Sequence, residues 1–395
     1  MLVTKKVRLF VDKEIHNKFI SSAGCSRFSY NWAKNFSDEY YDKNSKTISE
    51  SEIRKEFTIF KKTPGIEWIN DVDNDILKQS IRDFCKARSM FFKGIHGIPK
   101  FKSKNRSKPS FYIDTDSIKI ENNKVYVPKI GWIKYSTKSY KLPNYYLSKA
   151  NKTRTYIGIK PNNPRVTYDG RYWNLTLAYE TSMINEPKNN ISIGVDLGLK
   201  TFATVYINNL DYDELSNEYY IFESLKEKYK KLAKRKKRLD RKISKRLTEY
   251  KKKGVTKSNN YEKLLKKRLK LSNRMSNIQT ENINQCINFM VKTKPLKIII
   301  EDLNVAGMMK NKNLAKWISF NQFYTFRNKL TFKCSLNNIE LIIANRWFPS
   351  SKICHECGCI KDKLSLSERT YVCEECREVI DRDLNAAINL ANYNK

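Results

Sequence analysis

Four cysteines in the C-terminal part of this 395-residue chain place the tightest local constraint on its fold. They form two C-x2-C pairs, Cys354/Cys357 and Cys373/Cys376, with fifteen residues between the pairs. This spacing brings four thiolates within tetrahedral reach of one ion and is typical of a zinc ribbon. The intervening segment is too polar to build a core without a metal. We therefore predict a ribbon over residues 354–376 that holds Zn²⁺ on all four sulfurs.

Two neighbouring side chains keep the ligand set open. Cys359 and His355 lie close enough in sequence to replace one of the four cysteines. If the four thiolates bind the zinc, no coordination position remains for a substrate, so the site is expected to be structural. A redox role for the two C-x2-C pairs would call for a βαβ context, which this part of the sequence does not have.

The charge of the chain predicts its class of partner. The sequence carries 77 Lys and Arg against 41 Asp and Glu, a formal charge of +36, which favours nucleic acid first and a membrane surface second. Without an 18-residue apolar run, the membrane interpretation is weak. The N-terminus has no apolar signal core, and nine cysteines, an odd number, argue against a disulfide framework. A reducing interior is the simpler setting for such a chain, so we expect a cytoplasmic protein that binds nucleic acid; the oligomeric state stays open, with a monomer favoured.

Three carboxylates stand at the borders of apolar segments far apart in the sequence. Asp196 closes an alternating run that turns at Gly198, which predicts a half-buried strand. Glu301 follows the apolar run Ile298–Ile300, which predicts a buried central strand. Asp383 begins a predicted helix with one apolar face. Two strand ends and one helix start would bring three carboxylates to one place.

Such a constellation matches the needs of phosphodiester hydrolysis. Mg²⁺ or Mn²⁺ requires hard oxygen ligands, and two ions stabilise both the attacking and the leaving oxygen. Each acid alone has a common structural explanation, because an Asp before a helix is most often an N-cap and a strand-end acid is often a solvated turn residue. Only the combination of the three predicts a metal site.

In the first half of the chain, the spacing of apolar residues changes from a helical period to alternation at every second residue. Residues 13–108 predict three or four helices, with an amphipathic helix over Asn74–Phe92 and a basic linker over Gly97–Lys108. Alternating segments in 1–12 and 109–185 predict a small antiparallel β-barrel with the helical region inserted into it. A solvated face and contact with nucleic acid are equally open for the polar side of the amphipathic helix. That side carries Lys78, Gln79, Arg82, Lys86 and Arg88.

The second half predicts an α/β nuclease sheet. Residues 186–353 and 377–395 show the element order of an RNase H-like domain, with the zinc ribbon inserted and the helix after Asp383 as the last element. A predicted helical hairpin over 223–292 interrupts this order. Its stretch from Glu223 to Arg274 has 23 Lys and Arg against 5 Asp and Glu, which favours contact with a phosphate backbone over a merely solvated hairpin. The candidate contacts are Lys234, Arg235 and Arg238.

Several motifs resemble those of the TnpB family, transposon-encoded RNA-guided nucleases with a RuvC-type domain that are related to the compact type V CRISPR effectors. The most specific motifs are GVDLGLKTFAT, IIIEDLNVAGMMKN, RWFPSSKICHECG and DRDLNAAINLAN. RFSYNWAK and NDILKQSIRDFCKARSMFFKG resemble the N-terminal half of the family. The resemblance therefore spans nearly the whole chain.

This resemblance assigns roles to particular positions. It implies that Asp196, Glu301 and Asp383 bind the catalytic metal, Asp383 being chosen over Asp381 because the family's third carboxylate precedes Asn-Ala-Ala. It also implies zinc on the four paired cysteines, a guide RNA from the transposon end, and a double-stranded DNA target with a short flanking motif. The N-terminal barrel would be the family's wedge domain, followed by a helical recognition domain. Gln79 corresponds to a position in the helix that contacts the flanking motif, next to Lys78.

The function expected from these patterns is RNA-guided, metal-dependent cleavage of DNA. A guide-dependent DNA-binding repressor would bind without cutting, and the three intact acids argue against it. A transposase acting directly on transposon ends lacks support, because the chain has only three histidines, at 16, 96 and 355, and no Tyr-His-His pattern. A CRISPR-associated effector stays open, since a neighbouring repeat array rather than the protein sequence would identify it.

Overall fold

A computed structural model describes residues 1–104, 107–148, 155–211, 218–256, 258–365 and 368–393. The chain divides into two compact units, Leu2–Thr181 and Ser182–Lys395. None of the helices in these described ranges combines the length and the apolar character needed to traverse a bilayer.

The first unit is a helical layer packed on short strands. α1 begins after Asp12, whose side chain accepts the N–H of Ile15, and α2 begins with a capping box between Ser49 and Glu52. The elements in chain order are β1 (Leu2–Leu9), α1 (Lys13–Asn44), α2 (Glu50–Phe60), a 3-10 helix (Glu67–Asp71), α3 (Asn74–Phe92), β2 (Ser110–Tyr112), β3 (Lys119–Glu121), β4 (Lys124–Val127), β5 (Gly131–Lys134), β6 (Tyr145–Ser148), β7 (Thr155–Gly158), β8 (Asn162–Tyr168) and β9 (Trp173–Glu180).

The strands of this unit are all antiparallel and form two sheets rather than one continuously paired barrel. One sheet has the order β1-β9-β8-β2 and the other the order β5-β4-β3-β6-β7. They meet where Leu9, the last residue of β1, bridges to Tyr135, just beyond β5. The second sheet consists of strands of only three or four residues, so each makes few ladder hydrogen bonds.

Helices and sheets of the first unit share one hydrophobic core. Phe19 of α1 is fully buried, with its ring centroid 4.9 Å from that of Trp173 and 5.2 Å from that of Phe111. Asp83 of α3 accepts two hydrogen bonds from the guanidinium of Arg165 on β8, at 2.7 and 2.8 Å. The inserted helices are therefore bound to the first sheet by both apolar and ionic contacts.

Two features of the helical region differ from the sequence prediction. Arg88 is half-buried rather than on an exposed face, because its guanidinium donates to Ser37 Oγ and to the carbonyl of Ile48. The predicted basic linker is anchored at Lys102, whose backbone N–H and C=O both bond to the Asn31 side chain at 2.8 Å. Both contacts join residues more than 39 positions apart, which local pattern does not reveal.

The second unit contains one larger mixed sheet with helices packed against it. Its central strands are apolar on both faces, as strands covered by helices on each side must be. The elements in chain order are β10 (Asn189–Leu197), β11 (Thr201–Asn209), β12 (Glu218–Glu223), α4 (Lys226–Lys253), α5 (Asn259–Lys292), β13 (Pro295–Glu301), α6 (Val305–Met308), α7 (Ala315–Asn321), α8 (Phe323–Leu336), β14 (Glu340–Ala344), β15 (Thr370–Val372), β16 (Val379–Asp381) and α9 (Arg382–Ala391).

The strand order in the large sheet is β12-β11-β10-β13-β14. The strands β12, β11 and β10 are antiparallel neighbours, whereas β10, β13 and β14 run parallel. The ends of β10 and β13 therefore lie side by side, with Val195 paired to Ile300. The predicted hairpin is confirmed as α4 and α5, which are joined at Gly254 with a φ of +61°.

The sequence prediction missed two details of this unit. It did not contain β12, which pairs antiparallel with β11 at the sheet edge. It also placed a single helix over Asn313–Asn337, where the structure has α7 and α8. Gln322 between them adopts a left-handed conformation with a φ of +54°, which ends the first helix.

Candidate active site and metal centre

Asp196 and Glu301 lie next to each other because their strands are parallel neighbours. Val195 pairs with Ile300, so the residues that follow both emerge at the carboxyl edge of the sheet. Both side chains are partly exposed there, beyond strand interiors that are buried. Parallel strands with apolar interiors and polar ends deliver such side chains to a common edge.

Asp383 reaches the same edge from α9, which lies across β10. The close approach depends on Gly194, because a Cβ at this position would lie 2.0 Å from the carbonyl oxygen of Ala387 and 2.4 Å from the N of Ala391. Ser192 Oγ donates a 2.6 Å hydrogen bond to the carbonyl of Ala391. A glycine two residues before Asp196 thus lets the helix dock on the strand that carries the first acid.

Asp381, not Asp383, caps this helix. One carboxylate oxygen of Asp381 accepts the backbone N–H groups of Asp383 at 2.9 Å and Leu384 at 3.1 Å. The capping role that any acid at a helix start can have is therefore taken by Asp381. The Asp383 side chain is left to contact two guanidinium groups, Arg382 at 3.3 Å and Arg369 at 3.6 Å.

At this edge of the sheet, burial and the negative charges of neighbouring acids raise the pKa values of Asp196 and Glu301. Burial and the neighbouring charges of Glu301 and Asp383 raise the pKa of Asp196 well above its ordinary value. Burial and Asp383 likewise raise the pKa of Glu301, against the opposing effect of a 2.5 Å hydrogen bond from Ser350 Oγ. The three carboxylates are not among the groups of described residues whose ligand atoms all lie within 4.8 Å of one another. A cation between them would remove the repulsion, and carboxylate oxygens are the ligands that divalent Mg²⁺ and Mn²⁺ prefer.

The four predicted zinc ligands form a compact cluster. All four Sγ atoms lie within 4.8 Å of one another, and among the described residues this is the one group of three or more His, Cys, Asp or Glu side chains at that spacing. The Cys354–Cys376 and Cys357–Cys373 sulfur pairs are 3.6 and 3.5 Å apart. A tetrahedral ion with Zn–S bonds of about 2.3 Å needs sulfurs about 3.8 Å apart, so the cluster fits zinc.

Backbone N–H groups favour the thiolate form of one cysteine in this cluster, Cys373. N–H groups of Cys376 and Glu375 point at Cys373 and lower the pKa of its thiol to about 6. N–H groups of Cys357 and Glu356 act in the same direction on Cys354, although burial outweighs them there. Cys359 lies outside the cluster of four, so the pairs found from the sequence are the ones that come together.

The zinc cluster and the acidic edge are joined through α9. The Asn385 side chain is fully buried, donates to the carbonyl of Ile353 at 2.7 Å and accepts the N–H of His355 at 3.1 Å. Asn389 donates to the carbonyls of Ser350 and Ile353 at 2.8 and 2.7 Å. Sequence analysis used Asn385 only as the first residue of the Asn-Ala-Ala that identifies Asp383, and it gave no role to Asn389 or Ser350. The only local signal was that the two asparagines follow the last acid and that Ser350 precedes the first cysteine pair.

The candidates on α3 lie in the first unit and already have partners. Lys78 pairs with Asp75 at 3.1 Å and Arg82 with Glu50 at 3.4 Å, both on the surface. The half-buried Gln79 donates to Asp83, the carboxylate that also accepts from Arg165. Surface ion pairs of this kind are weak enough to exchange for a phosphate, whereas the amide of Gln79 belongs to a network between helix and sheet.

The candidates on α4 are freely accessible. Lys234, Arg235 and Arg238 are exposed on a helix whose buried residues are Leu232 and Ile243. The positive charge of the predicted hairpin thus lies on an ordered, solvent-facing helix surface.

Comparisons with known proteins agree with this architecture. Family models match three parts of the chain: "Helix-turn-helix domain" of OrfB_IS605 over residues 1–46, "Probable transposase" OrfB_IS605 over 176–312, and "Cas12f1-like, TNB domain" over 323–390. The "Putative RNA-guided DNA endonuclease" of Streptomyces pristinaespiralis is 26% identical over 387 residues, which are 98% of this chain and 87% of the relative. "TnpB-like protein L79" of Acanthamoeba polyphaga mimivirus is 29% identical over 52% of this chain and 38% of the viral protein.

Over nearly its whole length the chain is similar to proteins of the TnpB family. Among solved structures, the "Cryo-EM structure of the Cas12f1-sgRNA-target DNA complex" shares the fold of this chain, with a TM-score of 0.54 and 16% identity over 96% of this chain and 83% of that one. The name of the first family model does not describe the local structure here. Residues 1–46 contain the strand β1 and the single 32-residue helix α1 rather than a helix-turn-helix.

Proposed function

We propose that this protein is a transposon-encoded, RNA-guided endonuclease of the TnpB family that cuts double-stranded DNA. The observation that carries the proposal is the meeting of Asp196, Glu301 and Asp383 at one sheet edge in a chain of strong positive charge. The relative that aligns over 98% of this chain is named as an RNA-guided DNA endonuclease, which supports the same activity here. A DNA target places the protein with the nucleoid in the prokaryotic cytoplasm.

The second unit would then be a RuvC-type nuclease domain. The order β12-β11-β10-β13-β14, with three antiparallel strands followed by two parallel ones, supports an RNase H-like sheet. The proposed domains are a wedge barrel over 1–12 and 109–185, a recognition domain over 13–108, the nuclease over 186–353 and 377–395, and the ribbon over 354–376.

Asp196, Glu301 and Asp383 would hold Mg²⁺ or Mn²⁺. Two such ions, when bound, activate water and stabilise the charge that develops on the phosphodiester. Ser350 orients the Glu301 carboxylate by its hydrogen bond, and Asp381 keeps the first turn of α9 formed beneath Asp383. Arg369 and Arg382 hold the Asp383 carboxylate from the side and fix its direction.

Sequence specificity would come from the guide rather than from the protein. In such a division of labour the protein reads a short flanking motif and the backbone of the heteroduplex. Lys78, Gln79 and Arg82 are the proposed contacts to the motif, and the exposed basic face of α4 is the proposed contact to phosphates. Zn²⁺ on the four cysteines would have a structural role.

The fold shared with the Cas12f1 complex favours one second candidate, a compact CRISPR effector. Sequencing the RNA that copurifies with the protein from cells that carry its own locus separates the two. A single RNA that ends just past the transposon end supports the proposal, an RNA with repeat sequence supports the CRISPR effector, and the absence of a defined RNA contradicts both.

The nuclease assignment is tested with Asp196→Ala. We expect this change to abolish cleavage of a guide-matched duplex while binding of that duplex is retained. Glu340→Ala, which removes an exposed carboxylate at the start of β14, serves as the matched control and should cut normally. Cleavage by the Asp196 variant at the wild-type rate would refute the assignment.

A further inference from the structure

Trp347 exposes a large aromatic surface close to the acidic edge. Its side chain is 85% exposed, more than any other large hydrophobic residue in the described part of the chain. Tryptophan is highly buried on average, and exposed copies are enriched where a flat apolar ring meets a partner. The position lies in the segment between β14 and the first cysteine pair.

The loop holds this side chain outward by fixing its neighbours. The Asn345 side chain accepts the N–H of Trp347, and the Asn345 carbonyl accepts the N–H of Phe348, both at 2.9 Å. The ring of Phe348 packs edge-on against Tyr393, with centroids 4.8 Å apart. Because Asn345 and Phe348 on either side of this position make these contacts, the loop that exposes the indole has a defined conformation.

Both ends of the loop are attached to Glu301. Ala344 pairs with Glu301 in the sheet, and Ser350 Oγ donates to its carboxylate. Trp347 is three residues from each end, so its Cα lies within about 11 Å of either Cα, three Cα–Cα steps of about 3.8 Å. At a rise of about 3.4 Å per nucleotide, this upper limit corresponds to no more than about three nucleotides.

Two positively charged side chains lie in the same groove as the indole ring of Trp347. Arg346 and Arg327 both bind the carboxylate of Asp302, the residue after Glu301, at 2.5 and 2.8 Å. Together with Trp347 they line a shallow groove of about 410 Å³. One carboxylate neutralises only one of the two guanidinium groups, so the groove keeps a net positive charge beside an aromatic face.

We propose that Trp347 is a stacking platform for an unpaired DNA base within a few nucleotides of the cleaved bond. Arg346 and Arg327 would hold the adjacent phosphates. Stacking on an aromatic ring accepts any base, which suits a site whose sequence choice is made by a guide. The identity of the strand as DNA rests on the proposed function, whereas the position of the ring and the charges does not.

The first test is photochemical crosslinking on the full-length protein without divalent metal. A single-stranded oligodeoxynucleotide with scattered 5-iododeoxyuridine is irradiated with the protein, and crosslinked peptides are mapped by mass spectrometry. We expect a crosslink at Trp347 that disappears in Trp347→Ala. Crosslinks elsewhere on this basic chain with none at Trp347 would overturn the proposal.

The second test is cleavage of a guide-matched duplex by Trp347→Ala. Loss of one stacked base corresponds to a decrease of about 5- to 160-fold in kcat/KM, and Trp347→Phe should restore most of it. Trp132→Ala, which removes another exposed indole on β5, is the matched control. Normal cleavage by Trp347→Ala would overturn the stacking role alone, while failure of the wild-type protein to cleave would contradict the proposed function and leave the crosslink interpretable.

Discussion

The helices α9 and α4 illustrate two ways of using a helix in one protein. α9 has ten residues, and seven of them are buried against the sheet and the ribbon. α4 has 28 residues, and its buried ones are Leu232 and Ile243. α9 packs so closely on β10 that even a methyl group does not fit at Gly194. α4, in contrast, is held by few buried apolar side chains and presents its charged side chains to solvent.

The difference corresponds to what each helix must do. In the proposed metal site, a carboxylate that shares an ion with two others would have to be held within about 0.5 Å, and the packing of α9 would provide this for Asp383. A polyanion can be bound by many positive charges with loose geometry, because the attraction is long-ranged and sequence-independent. Changes on α9 should therefore have large, localised effects and changes on α4 small, cumulative ones.

Loss of the proposed zinc should have the largest effect, because Asn385 and Asn389 bind α9 to the segment that leads into the first cysteine pair. Structural zinc contributes on the order of 10 kcal/mol in isolated finger peptides. We expect Cys373→Ser to lose its zinc by elemental analysis, to become sensitive to proteolysis within 354–376 and to lose cleavage. Cys359→Ser should keep one zinc per chain, and loss of the metal from that variant instead would identify a different ligand set.

A methyl group at Gly194 should separate α9 from β10. Gly194→Ala forces a Cβ into the helix backbone, at a cost of about 3 kcal/mol for an overpacked core position. Thermal unfolding should occur roughly 6–12 °C lower, the shift for that cost in a unit of about 200 residues. In Gly24→Ala, where a Cβ meets nothing within 4 Å, stability should be unchanged or slightly higher. Equal melting of both variants would contradict the close approach.

Ser350→Ala tests whether α9 and Glu301 form one unit. The variant loses the hydroxyl that orients Glu301, and removal of such a supporting partner typically costs about 10- to 100-fold in metal affinity or activity. We expect a higher Mg²⁺ or Mn²⁺ concentration at half-maximal cleavage, with unchanged thermal stability. Ser351→Ala, one residue further on, should behave as wild type.

The smallest effect is expected on α4. Replacing Lys234, Arg235 and Arg238 together by Ala should flatten the slope of log K against log salt for duplex DNA by at most about 2.7, about 0.9 per phosphate contact. Each single replacement should have little effect, and the melting temperature should not change because all three side chains are exposed. Leu232→Ala should do the opposite, with lower stability and an unchanged slope.

The parts of the site that the sequence reveals are those that depend on local pattern. The apolar runs before Asp196 and Glu301 and the period of α9 predict their elements, and the C-x2-C spacing predicts the cysteine cluster. What was missed depends on partners far away in the chain. The hydrogen bond from Ser350 to Glu301 spans 49 residues, and the need for glycine at 194 arises from a helix almost two hundred residues later.

Secondary structure likewise divides into features that follow from local sequence pattern and features that depend on distant contacts. Gly254 ends α4 in the left-handed conformation that glycine favours, and the sequence indicates this break. The break at Gln322 has no such signal, because glutamine does not favour a positive φ and is held there by its surroundings. Similarly, β12 forms at the sheet edge through its pairing with β11 rather than through strong alternation of its own.

The dependence of β10 on α9 has a consequence for how the protein is made. A ribosome synthesises Asp196 and Glu301 long before Asp383, and until α9 emerges the backbone around Gly194 has no cover. A nascent chain therefore holds two of the three acids and lacks the helix that completes the edge. We expect nascent or prematurely ended chains to be unable to cut DNA, so the capacity for damage arises only once the whole nuclease unit has been translated.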